Sequence, residues 1–213
     1  MKKISASILL LMSCLLCSAQ NIVEENRAWR ATQNLEFADS VTSPLTAEDR
    51  ALFDSLPFFP IAEKFAVKAY LELTPDSKPF KMRTSTDRVA DYRKYAIVRF
   101  NIDGNSFELP VYQNLRLAQM PQYKNALFVP FTDLTNDIET YPGGRYLDVQ
   151  KPEGDSLIID FNKAYNPYCA YNDRYSCPIP PTDNHLEIRI EAGVLYKKNN
   201  TKKVKTPKVS IMK

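Results

Sequence analysis

Glycine is scarce in this chain, with five in 213 residues. That leaves no glycine-rich loop able to cradle a nucleotide phosphate, and Pro142-Gly143-Gly144 reads as a turn signal alone. Histidine is scarcer still: His185 stands by itself, so any Ser-His-Asp or Cys-His arrangement would have to be built around that one ring. Past residue 20 no run approaches the roughly 18 uninterrupted apolar residues of a membrane-spanning helix. Cysteine is limited to four, which excludes a disulfide-dense scaffold and leaves stability to a packed core. Basic residues are scattered over an acidic body, a poor footprint for nucleic acid. Nothing in the sequence calls for a cofactor.

What is present is concentrated at the ends. Lys2 and Lys3 precede an apolar stretch running from Ile8 to Leu16, and Cys17-Ser18-Ala19 supplies small residues for cleavage. This is the layout of a signal peptide over residues 1–20, cut after Ala19 or Gln20. Leu11-Met12-Ser13-Cys14 offers a second reading, a lipoprotein box that would leave lipid on Cys14. Both predict an exported chain, periplasmic or secreted, with membrane anchoring in the lipoprotein case. The last segment, residues 197–213, holds seven lysines and no acid. It is expected to be a frayed basic tail, and it could touch an anionic membrane surface. The formal net charge of +3 is therefore carried by the ends.

Between them the periodicity predicts one mostly β domain over residues 21–196. Val23, Ala28, Trp29, Ala31 and Leu35 fall near helical spacing over 22–38, with Trp29 packing back on the body. Thr46 and Asp49 begin a second helix of about nine residues, ended by Pro57. From Phe65 the period becomes two: Phe65, Val67, Ala69, Leu71 and Leu73 share one face. "KYAIVRFNIDGNSFELPVYQN" is the clearest hairpin, with arms at Ile97–Ile102 and Phe107–Tyr112 around an Asp103-Gly104 turn. "FKMRTST", "ALFVPFTDLT", "GGRYLDV", "SLIIDFN" and "HLEIRIEAG" supply further strands. The expected fold is an antiparallel β-sandwich or open β-barrel-like domain with two N-terminal helices.

The densest stretch is "DFNKAYNPYCAYNDRYSCPIPP", residues 160–181. Cys169 and Cys177 are the pair left after signal cleavage, and in an oxidising compartment they read first as a disulfide. Zinc held by Cys169, Cys177, His185 and Asp173 or Asp183 is an alternative, although no two ligands have the usual close spacing. A reactive thiol is another. Tyr165, Tyr168, Tyr171 and Tyr175 are spaced for one face of a helix, which the prolines restrict to about residues 168–175. These rings either close a barrel end or form an aromatic floor with Asn162, Asn166 and Asn184 as orienting amides. Such a floor would suit a small polar ligand or a peptide. Arg145 is the candidate charged anchor; its fork could hold a ligand carboxylate, or Asp160 or Asp133 of the chain itself. Asp148 is either a strand-end carboxylate or part of a site.

"WRATQNLEF", "SPLTAEDRALFDSLPFFP", "FVPFTDLTNDIETYPGGRYLDVQ" and "DFNKAYNPYCAYNDRYSCPIPPTDNHLEIRIEAGV" together resemble a widespread bacterial family classed as a domain of unknown function. The resemblance runs from about Trp29 to Gly193. Positions matching its motif are Gly144, Arg145, Tyr146, Asp160, Phe161, Asn162, Tyr165, Asn166, Pro167, Cys169, Ala170, Cys177, Pro178, Pro180, Pro181 and Asn184. It brings no activity with it. It implies a site among Arg145, Asp160, Asn162 and Asn166, with Tyr146, Tyr165, Tyr168 and Asn184 beside them. Two functions follow: a binding or envelope-associated module, or a hydrolase-type enzyme using Asp160 or Cys169 with Arg145 as anion holder.

Overall fold

The computed structural model describes residues 3–196, residues 3–20 by their backbone alone. The side chains of the expected signal peptide and the whole lysine-rich tail lie outside the described residues.

A single long helix, α1 (Lys3–Ala38), leads into the body. Asn26 and Phe37 are buried and Trp29 and Gln33 half-buried, one stripe at helical spacing. Leu35, expected to point inward, is exposed. The second expected helix shrinks to α2 (Ala47–Ala51). Its cap is as the sequence suggests, the Asp49 N–H donating to Thr46 Oγ1 at 3.1 Å. Leu52 then leaves the helix and is exposed, while Leu56 is buried because Asn34 Oδ1 takes its N–H at 2.9 Å. Anchoring to α1 wins over continuing the turn.

The strands are β1 (Ala66–Leu73), β2 (Phe80–Arg83), β3 (Val89–Ile102), β4 (Asn105–Asn114), β5 (Ala126–Asp133), β6 (Arg145–Gln150), β7 (Ser156–Asp160) and β8 (His185–Leu186). They form one strongly curled half-barrel sheet rather than a sandwich. Its order is β6-β5-β4-β3-β1-β7, with β2 on β3 and β8 on β5. All pairings are antiparallel except β5 with β8. The β3–β4 hairpin turns at Asp103 (φ 49°) and Gly104 (φ 81°), the left-handed pair that a two-residue turn requires.

Strand alternation gives the sheet two unlike faces. Leu127, Val129 and Phe131 of β5, with Leu147 of β6, join the main core with Val98, Leu109 and Phe161. Phe128, between them, turns to the other face, where Met82, Tyr92 and Tyr112 form a smaller aromatic cluster. Segment 161–181 sets Phe161 and Ala164 in the main core and then, with α1, runs over the aromatic side. The last expected strand is confined to His185–Leu186; the chain beyond it turns its carbonyls onto Arg145.

Candidate functional site

Arg145 starts β6 on the core face and is fully buried. Its Nη2 donates to Asp133 Oδ2 at 2.6 Å and to the Ile190 carbonyl at 2.9 Å, and its Nη1 donates to the Ala192 carbonyl. The Thr135 and Ile190 N–H groups donate in turn to Asp133 Oδ1, at 2.7 and 3.3 Å. Burial lowers the guanidinium pKa, and the Asp133 carboxylate opposes that. Both charges are spent on each other and on backbone, so this guanidinium has no fork left for a ligand.

The polar motif residues are similarly committed, apart from a buried Asn166 Oδ1 with no partner among the described residues. Asp160 accepts from Asn26 Nδ2 at 2.7 Å and from the Asn162 backbone and side chain at 3.0 and 2.9 Å. Asn162 clamps Ala62, accepting its N–H and donating to its carbonyl, both at 2.9 Å. Asn184 accepts from Tyr112 Oη and donates to the Pro110 carbonyl, both at 2.8 Å. Asn166 donates to Tyr171 Oη and to the Leu195 carbonyl at 3.1 and 3.3 Å. These amides fasten α1 and segment 161–195 to the sheet; they are not gathered around a common opening.

Segment 168–175 holds one tight turn, Tyr168–Ala170, rather than two turns of helix, since Pro167 and Pro178 bracket too short a span. The tyrosines accordingly part company. Tyr171 packs edge-on against Phe37 at 4.9 Å, within the α1 cluster. Tyr165, Tyr168 and Tyr175 line a cleft of about 590 Å3, a size that fits a small molecule.

This cleft is assembled from three directions. Tyr92 of β3, Phe128 of β5, and Tyr146 and Asp148 of β6 come from the aromatic sheet face. Trp29, Gln33 and Glu36 come from one face of α1, and Lys163, Pro167, Ser176, Cys177 and Pro178 from the covering segment. Tyr146 is held by its hydroxyl donating to the Pro178 carbonyl and by paired backbone bonds with Tyr165 at 2.9 and 3.0 Å. Phe128 meets the Tyr146 ring at 4.7 Å. Tyr165 Oη donates to Asp148 Oδ2 at 2.6 Å.

Asp148 is exposed at the cleft mouth, yet crowded by these rings. Burial holds its carboxyl above the usual range, while the Tyr165 hydrogen bond pulls the other way; water at the mouth limits the shift. Burial, then the neighbouring carboxylate, keeps the Tyr165 phenol well above its ordinary value. No cationic side chain among the described residues pairs with Asp148. Lys163 instead faces Glu25 and Asp160, at 3.6 and 3.7 Å.

Both cysteines are free thiols in this structure, so the expected disulfide is not formed here. The Cys169 N–H donates to Cys177 Sγ at 3.2 Å. Hydrogen bonds from the Cys177 thiol, then from Ser85 and Tyr141, lower the Cys169 pKa. Cys177 is pushed up by that same pairing and by burial. His185 engages Thr132 at 2.9 Å and Glu187 at 3.4 Å, and among the described residues no three His, Cys, Asp or Glu side chains converge on a metal position.

Comparison with known proteins fits this architecture to a family. Residues 51–195 match the family described as protein of unknown function (DUF1684). The chain belongs to DUF1684. A solved structure, the solution NMR structure of an uncharacterized protein from gene locus rrnAC0354 of Haloarcula marismortui, is similar at 32% identity and a TM-score of 0.65. The match covers 84% of this chain and 96% of that one. No curated protein matches the chain. The DUF1684 match covers β1–β8, Arg145, Asp148 and the covering segment, and leaves α1 and its cleft residues outside.

Sequence reasoning placed Tyr146, Tyr165 and Tyr168 in the site but missed Trp29, Gln33 and Glu36. Their helical spacing was a signal, though only docking against segment 161–178 shows what that face meets. Asp148 was weighed as a site member; its period-2 partnership with Tyr146 in "RYLDV" could have singled it out.

Proposed function

We propose that the chain is an exported binding module that holds a small polar ligand in the cleft between α1 and the aromatic face of the sheet. The observation carrying this reading is the Asp148 carboxylate, set among rings at the cleft mouth with Tyr165 as its one polar partner among the described residues. A fold gains nothing from placing a charge there, whereas a ligand could use it. Export is supported by the Lys2-Lys3 start, the apolar run and Cys17-Ser18-Ala19. Anchoring through a lipidated Cys14, and peripheral membrane contact through the lysine-rich tail, belong to the same reading.

The enzyme alternative lacks its anion holder, because Arg145 is sealed on the opposite face of β6 from Asp148 and Asp160 is engaged by Asn26 and Asn162. A thermal-shift screen of small polar molecules tests the binding reading. Ligands should raise the melting temperature of the natural chain and lose that effect in Tyr168→Ala. An absence of stabilising molecules, or hits indifferent to Tyr168→Ala, would overturn it.

A further inference from the structure

The chemistry lining the cleft is selective, and it extends the binding reading to a ligand class. Two carboxylates face the space, Asp148 from β6 and Glu36 from α1. The Glu36 partner is a neutral amide, Gln33 Nε2 at 3.1 Å, and the Asp148 partner is a phenol. The one cation among the described lining residues, Lys163, is already answered by Glu25 and Asp160. The space is therefore net negative.

Its hydrogen-bond donors, in contrast, are largely spent. The Tyr146 hydroxyl is used on Pro178 and the Tyr165 hydroxyl on Asp148. The Tyr175 ring and hydroxyl are occupied by Arg174, whose guanidinium lies 4.7 Å over the ring and donates to Tyr175 Oη at 2.6 Å. What remains around Asp148 is the aromatic surface of Tyr92, Phe128, Tyr146, Tyr165 and Trp29. Negative charge, aromatic faces and few free donors together favour a cation, held by ring quadrupoles and a counter-charge.

We propose that the cleft takes the alkylated ammonium group of a small molecule, seated between Asp148 and the surrounding rings. This rests on the cleft being a ligand site, and adds the charge and character of the ligand. An anion would meet Asp148 and Glu36 with no free cation among the described lining residues to answer them. The rings beside Asp148 favour alkyl groups on the nitrogen over a bare, strongly hydrated ammonium.

Trp29 is the single tryptophan of the chain and lines this cleft, so its fluorescence reports occupancy directly. The full chain is titrated with choline and, in parallel, with its neutral isostere 3,3-dimethylbutan-1-ol. The expected result is a saturable Trp29 response to choline, at least tenfold weaker for the isostere and at least tenfold weaker in Asp148→Asn. Equal response to the isostere would overturn the inference, and does so even if Asp148→Asn fails to fold. Choline binding unchanged in a folded Asp148→Asn would overturn it as well. Absence of any choline response, while an anionic or neutral molecule saturates the Trp29 signal, would reject the ligand class and leave the cleft as a binding site. Silence toward every molecule would reject both.

Discussion

Arg145 Nη2 and Asp133 Oδ2 lie 2.6 Å apart with neither side chain reached by solvent, and two carbonyls of the chain beyond β8 also accept from the guanidinium, leaving Nε without a partner among the described residues. The pair fastens the last described segment to the sheet core. Arg145→Met leaves Asp133 buried and charged with only backbone N–H groups as partners. It should lose about 3–5 kcal/mol of stability, read as a lowered midpoint in urea denaturation. A loss below about 1 kcal/mol would mean the pair is not the fastening it looks to be.

Asn162 closes a ring of two hydrogen bonds on Ala62, one hundred residues earlier. Asn162→Ala abandons a buried N–H and a buried carbonyl, at roughly 1–3 kcal/mol for the unsatisfied groups. Asn162→Asp keeps the acceptor but turns a buried carboxylate toward the Ala62 carbonyl and Asp160, so it should lose at least as much. Thermal unfolding of the two variants beside the natural chain gives the order; Asn162→Ala equal to the natural chain would contradict it.

These two cases show how far the sequence could be read. The β3–β4 hairpin was legible because its arms alternate and Asp103-Gly104 names the turn; all of that information is local. The Thr46–Asp49 cap was legible for the same reason. Arg145 as a buried hub was not, because its acceptors are Asp133 and the carbonyls of Ile190 and Ala192, and a carbonyl leaves no mark in a sequence. "HLEIRIEAG" alternates as a strand does, but after His185–Leu186 its backbone is claimed by Arg145 and its strand pairing stops. The cleft was only half visible: the tyrosines stood out, while α1 completes the walls through packing across more than one hundred residues.

The thiol pair makes a prediction that depends on pH. Cys169 sits below the ordinary thiol range because the Cys177 thiol, then Ser85 and Tyr141, donate to its sulfur. At neutral pH Cys169 should therefore alkylate faster than an ordinary thiol, with its rate curve moved toward acid. Cys177→Ala should return that curve toward the usual thiol position. A curve unmoved by Cys177→Ala would remove the coupling. Intact mass of the chain from an exported fraction adds a second readout. A start near Gln20, or lipid on Cys14, is expected, and a mass two hydrogens lower would mark the Cys169–Cys177 disulfide in that compartment.

Asp148 should cost the fold stability. Its folded-state pKa is raised above the unfolded value, chiefly by burial, so the native state binds the proton more tightly. Below the unfolded pKa of about 3.9 there is no penalty; it grows as pH rises and is complete above the folded pKa. Tyr92, Tyr165 and Tyr168, all shifted upward, stay neutral over this range. Asp148→Asn should then melt at or above the natural chain at pH 7, with the difference closing toward pH 3. A variant clearly less stable at pH 7 would make Asp148 a structural residue.

The most direct measurement is chemical-shift mapping of the full chain by NMR during a screen of small polar molecules. The account predicts that binders shift signals of Trp29, Tyr146, Asp148, Tyr165 and Tyr168 together, from α1, β6 and the covering segment at once. Binders that shift another surface and leave those five residues still would contradict it.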